Sequence, residues 1–201
     1  MNKLITINRQ FGSGGREVGR RLADKLGIAY YDKELINAIA EKTGFDEKYI
    51  EQCDEQAISG YTFTFARAFS TYQQSPSEQI QIATCKIIKE ITHREDAIII
   101  GRCANYILEE QKPLSVFIYS SDNDFRVKRC FDKVPSDRES KTEKEMLKDI
   151  LAIDKKRSKY YEFYTANEWM KMSQYSLCID TSKVGINNAV DIICTALNFN
   201  D

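Results

Sequence analysis

Short apolar runs rich in β-branched residues recur along the chain at 4–7 (LITI), 28–31 (IAYY), 97–101 (AIIIG), 114–120 (LSVFIYS) and 176–180 (SLCID). Several are apolar throughout rather than alternating, as in strands covered on both faces. Between them the apolar positions change to helical spacing. Val18, Leu22 and Leu26 form one stripe of a helix over Arg16–Lys25, with Gly27 as its stop. Ile80, Ala83, Ile87 and Ile91 form another, and the stretches 123–132 and 185–197 behave alike. Strands alternating with helices predict a five-stranded parallel sheet with right-handed crossovers, an α/β fold. No internal repeat or low-complexity tract interrupts it.

Two segments break the alternation. Residues 33–96 are too long for one crossover helix and contain a polar, aromatic stretch from Tyr61 to Tyr72. Long connections at strand ends are commonly functional lobes. The second, 133–171, opens with a proline turn and is dense in charge, which also suits a solvated helix face.

Length and composition narrow the picture. With 201 residues, 42% hydrophobic and 29% charged, the chain fits one domain (1–201) with a real core. A net charge of -1 argues against nucleic-acid polymers as partners. No apolar run approaches the ~20 residues of a membrane helix. The six scattered cysteines, without a C-x-x-C pair, read as free thiols in a reducing cytoplasm. The single histidine, His93, reads as a surface residue at a helix end, and its isolation disfavours histidine triads and metal centres.

The candidate chemistry sits after the first strand. Gly12, Ser13, Gly14 and Gly15 form a turn that leads into a helix. Such glycines let main chain approach a phosphate, and the helix start offers N–H groups and a positive dipole end to the anion. The lysine and hydroxyl that usually close a phosphate-binding loop are missing, with Gly15 and Arg16 in their place. Arg9, Arg16, Arg20 and Arg21 crowd the region. Arg16, beside the vacated position, could reach a phosphate bidentately.

The stretch ITINRQFGSGGREVGRRLADKLGIAYYDKELI resembles the start of the cytidylate kinase-like family, in its divergent branch with an R-x-F-G-S-G-G loop. The resemblance continues through IIIGRCANYIL, FRVKRC and DKKRSKYYEFYTANEW. It implies a P-loop NTPase-type three-layer α/β/α fold, an acceptor-binding helical insert at 33–96 and a lid at 132–165. By resemblance, Asp32 faces the acceptor nucleotide or, through water, the metal, though as a helix N-cap it is equally at home. Arg102, after Gly101, holds the acceptor monophosphate. Arg126 and Arg129 form the R-x-x-R at the lid root, and Asp154 and Arg157 the D-x-x-R that reaches both nucleotides. Two family positions depart: Ile100 replaces an aspartate before the Gly-Arg, and an arginine is missing near Ile150. The aromatic residues Tyr160, Tyr161, Phe163, Tyr164 and Trp169 suit packing of the lid more than base stacking.

The implied activity is transfer of the γ-phosphoryl group of ATP, as its Mg²⁺ complex, to a nucleoside monophosphate of CMP or dCMP type. Gly12–Gly15 and Arg16 would hold the donor phosphates, Asp32, Arg102 and Asp154 the acceptor, and Arg16, Arg126, Arg129 and Arg157 the transferring group. Two alternatives stay open: a nucleotide- or anion-binding module without turnover, and a kinase for another small acceptor. The 33–96 insert could also line a different pocket or a homo-oligomer interface.

Overall fold

The computed structural model describes residues 3–50, 75–132 and 141–198. Five parallel strands, β1 (Leu4–Arg9), β2 (Ala29–Tyr31), β3 (Ala97–Ile100), β4 (Leu114–Tyr119) and β5 (Leu177–Asp180), lie in the order β2-β3-β1-β4-β5. The apolar runs thus became strands of one parallel sheet. Helices α1 (Gly15–Leu26), α2 (Lys33–Thr43), α3 (Pro76–Arg94), α4 (Ala104–Ile107), α5 (Asn123–Phe131), α6 (Glu143–Thr165) and α7 (Thr181–Leu197) complete a three-layer α/β/α arrangement. Residues 51–74, including the aromatic stretch 61–72, and residues 133–140 of the lid region lie outside the described residues.

The period of two along the strands separates the two helical layers. Ile98 and Ile100 of β3 pack with Ile5, Ile7, Val116 and Ile118 beneath Val18 and Leu22 of α1 and Val190 and Ile193 of α7. Ala97 and Ile99, on the opposite face, pack with Leu35 and Ile39 of α2 and Ile80, Ile88 and Ile91 of α3. Phe117 of β4 meets Tyr160 and Tyr161 of α6, Trp169 and Tyr175. Thus Tyr160, Tyr161 and Trp169 do serve packing, whereas Phe163 is exposed.

Local signals fix the helix ends. Gly27 takes φ +67 and donates its N–H to Ala23 O, closing α1. Ser75 with Glu78, and Thr142 with Glu145, form reciprocal capping boxes at the starts of α3 and α6. α7 begins at Thr181, four residues before the expected start, because Asp180 accepts from Ser182 N as its cap; Gly185 then kinks it.

Both departures from the family pattern have packing causes. Ile100 is buried, and its Cδ1 lies 2.8 Å from where a β-carbon on Gly19 would sit. Ile150 is fully buried against Val127 and Met146 in the seam between α5 and α6. A charge at either place would lose its hydration without gaining a partner. β1 is central, flanked by β3 and β4, so their carboxyl ends open into one crevice, where open α/β sheets bind ligands.

Candidate functional site

The chain leaves β1 through Gln10, whose N–H donates to Ile118 O at 3.0 Å, and enters α1 at Gly15. Gly12 and Gly14 adopt φ of +77 and +87. Their neighbours also leave no room for a side chain: a β-carbon on Gly12 would come 3.0 Å from Arg126 O, and one on Gly14 2.4 Å from Ile186 Cδ1. Ser13 is wholly buried. Its hydroxyl donates to Gln10 O at 2.9 Å and lies 3.1 Å from Ile118 O, so this side chain braces the turn from inside. Thr181 Oγ1 donates to Ser13 O at 2.6 Å, tying the turn to α7. The first closing bond of α1 runs from Val18 N to Gly14 O, and N–H groups ahead of such a bond have no partner within the helix. A cavity of about 320 Å³ opens onto this turn, lined by Phe11, Gly12, Gly14, Gly15, Arg129 and Arg157, with Arg9 and Arg16 at its border.

Phe11, in the middle of the turn, is held on both sides of its backbone. Its N–H donates to Asp154 Oδ1 at 2.7 Å, and its carbonyl accepts from Arg126 Nε at 2.8 Å. Arg126 Nη2 in turn donates to Asp154 Oδ2. Arg126 is only 2% exposed. The structure therefore places Arg126 and Asp154 together in a dry seam behind the loop. Neither borders the loop cavity, nor the cavity at the ends of β1 and β3 described below. Their contacts are with each other and with Phe11 of the loop, which they position.

Arg129, one turn along α5, points the other way. Its Nη2 meets Glu17 Oε2 at 2.7 Å, and its guanidinium lies against Gly14. Arg157 Nη1 donates to Arg9 O at 3.0 Å, and its guanidinium sits 5.5 Å over the Phe11 ring.

A second cavity, of about 270 Å³, lies at the ends of β1 and β3. Gly101, Arg102 and Cys103 take φ of +72, +55 and +55 in succession. A left-handed conformation costs roughly 1–2 kcal/mol per non-glycine residue, so the fold must hold Arg102 and Cys103 there. The turn sets Arg102, 7% exposed, into the cavity wall beside Lys33, Tyr160 and Trp169. A polar chain backs it: Asn8 Nδ2 donates to Asn105 Oδ1, and Asn105 Nδ2 to Tyr161 Oη. Burial pushes the Tyr161 phenol up and keeps it neutral, against the pull of the Asn105 bond.

Asp32 ends β2 just before α2, yet its side chain makes no cap bond. It faces the arginines instead. Arg16 Nε lies 2.8 Å from Oδ2 and Arg9 Nη2 3.8 Å from Oδ1. The side chain expected to fill the lysine's place is thus tied to the end of β2. Tyr30 nearby is pushed up to about 12, first by burial and then by the Asp32 charge, with Arg16, Arg9 and Arg20 opposing. Arg9, Arg16 and Arg157 border both cavities and stand between them.

The acids near the loop do not make a metal cage. Glu17 is met by Arg21 and Arg129, and Asp32 by Arg9 and Arg16. Among the described residues no group of three His, Cys, Asp or Glu could hold an ion.

This loop, with its arginine-lined crevice at the carboxyl edge of a five-stranded parallel sheet, can be set beside known proteins. The profile of the cytidylate kinase-like family matches residues 4–183. The chain belongs to the cytidylate kinase-like family. An uncharacterized protein from Eubacterium ventriosum is 29% identical with a TM-score of 0.69, over 98% of this chain and 99% of that one. Shikimate kinases from Bacteroides thetaiotaomicron and Acinetobacter baumannii are 16% and 17% identical, with TM-scores of 0.56 and 0.51. They match over 96% and 100% of this chain and 97% and 96% of theirs, and share its fold. No curated protein sequence matches the chain significantly. No helix among the described residues is long and apolar enough to cross a membrane. Fold and family together make this a kinase-like protein.

Sequence reasoning passed over Glu17, Phe11 and Thr181, whose roles depend on partners 112, 143 and 168 positions away. It counted Arg9 among the arginines around the loop without giving it a task. A signal was present: a large cation closes β1 six positions before a glycine stands where a cation is usual.

Proposed function

We propose that this protein transfers the γ-phosphoryl group of Mg-ATP to a nucleoside monophosphate of CMP or dCMP type. The observation that carries the reading is the pair of cavities, one on the glycine turn and one on Arg102, with Arg9, Arg16 and Arg157 between them. The main chain of Gly12–Gly15 would cradle donor phosphates, with Arg129 beside Gly14. Arg102 would take the acceptor phosphate, and Arg157 would border both. An acceptor phosphate oxygen attacks the γ-phosphorus, the bond from that phosphorus to the oxygen bridging it to the β-phosphorus breaks, and ADP leaves. A phosphate monoester is largely ionised at neutral pH, so no general base is required. The residues' work is positioning and charge neutralisation. Magnesium would arrive with the donor as its ATP complex.

A binding module without turnover is the second reading. It is favoured by the missing lysine and hydroxyl of the loop, with Gly15 and Arg16 in their place. A kinase for another small acceptor is the third, since shikimate kinases share the fold.

The test is to incubate the purified protein with Mg-ATP and CMP, dCMP, UMP, AMP, GMP or shikimate and to follow ADP. Acceptor-dependent ADP with CMP or dCMP supports the reading. ATP binding without it supports the module, and turnover of shikimate alone the third reading. Arg102→Ala should lower kcat/KM for the acceptor by about 10- to 100-fold, the worth of a charge-assisted hydrogen bond, while ATP affinity stays within a few-fold.

A further inference from the structure

We propose that the missing loop lysine has been exchanged for Arg9: the donor-phosphate cation comes from the end of β1, and Gly15 is a glycine to make room for it. The inference rests on the phosphate-binding reading of the loop and names the group that completes it.

The two positions occupy one space. A β-carbon on Gly15 would lie 2.5 Å from Arg9 Cβ and 3.0 Å from its Cγ, so any side chain at 15 collides with the stem of Arg9. Gly15 has no positive φ to require glycine, unlike Gly12 and Gly14. Its smallness answers to Arg9 alone among close neighbours apart from Ile118. The far end of Arg9 runs over a second glycine, where a β-carbon on Gly101 would meet Nη1 at 2.1 Å. One arginine thus crosses from the donor turn to the turn that carries Arg102.

The neighbourhood holds that path. Arg157 Nη1 donates to Arg9 O, and Asp32 Oδ1 lies 3.8 Å from Nη2. The Arg9 side chain is 14% exposed and borders both cavities. Arg16 also meets Asp32 but differs in exposure, its side chain being 53% exposed. A pre-placed guanidinium with little freedom left to lose is the better clamp for an anion shared between two sites.

The test measures binding of inorganic tripolyphosphate and of Mg-ATP, by calorimetry, to native protein and to Arg9→Ala, Arg9→Lys, Gly15→Lys and the double variant Arg9→Gly/Gly15→Lys. Arg9→Ala should weaken tripolyphosphate binding by about 10- to 100-fold, Arg9→Lys by less, and Arg16→Ala by no more than a few-fold. Gly15→Lys alone should bind poorly, and the double variant should bind better than either Arg9→Ala or Gly15→Lys. If Gly15→Lys fails to fold, the same exchange is read in melting temperature with Gly15→Ala, whose loss Arg9→Gly should relieve. Native affinity in Arg9→Ala, or no rescue in the double variant, overturns the proposal. Arg9-dependent tripolyphosphate binding without acceptor-dependent ADP would sink the kinase reading and leave this inference standing.

Discussion

Two arginine–carboxylate pairs flank the same loop and do opposite things. Arg126 and Asp154 lie in the seam between the loop, α5 and α6, with Arg126 2% exposed, and they hold Phe11 by its N–H and its carbonyl. Arg16 and Asp32 lie at the crevice mouth, with Arg16 53% exposed. The first pair is a structural fixture, because removing one partner leaves a largely buried charge without its counter-charge. The second costs less to open, because water takes up the half-exposed Arg16 and Arg9 stays near Asp32. The protein therefore uses one charge pair to shape the loop and leaves another at the crevice mouth.

The largest effect should come from breaking the buried pair. Arg126→Ala should lower unfolding stability by about 3–5 kcal/mol in urea titration. A loss under about 1 kcal/mol would mean that the two pairs do not differ in kind. Thr181→Val tests the other anchor of the loop. It strands Ser13 O without its 2.6 Å donor and should cost about 1–3 kcal/mol. Arg16→Ala should change stability by no more than about 1 kcal/mol, because Arg16 is half-exposed and Asp32 keeps Arg9 as a neighbour. A larger loss would put Arg16 with the buried fixtures.

The smallest expected effect is at alkaline pH beside the exposed pair. Tyr30 is held up to about 12, against about 10 for an unperturbed phenol. Between these values the unfolded chain releases this proton while the folded one keeps it. Stability should then fall as pH rises from about 10 to 12. Tyr30→Phe should flatten that limb in thermal melts across this window and leave neutral pH unchanged. An unaltered slope would mean that Tyr30 is not shielded by its burial.

Much of the site was legible as position and little as role. Gly12, Gly14, Gly15, Arg102 and Arg157 stand where motif spacing put them, bordering the two cavities. Arg126 and Arg129 read alike as an R-x-x-R, yet one is buried behind the loop and the other faces it. Residues three apart share a helix face, so what separates them is their partners: Arg126 reaches Phe11 O and Asp154, and Arg129 reaches Glu17. Ser13 read as part of a main-chain phosphate cradle, and the structure adds that its hydroxyl braces its own turn.

The sequence by itself determined the strands, the helices between them and the glycine turn, because these follow from local periodicity and backbone freedom. It also determined the family, through motifs spread along the chain. Only the tertiary structure decided the strand order, the dry setting of Arg126 and Asp154, and the approach of Arg9 to Gly15 and Gly101. Those depend on which distant segments come within a few ångströms, and on whether water remains beside a charge, neither of which a one-dimensional pattern contains.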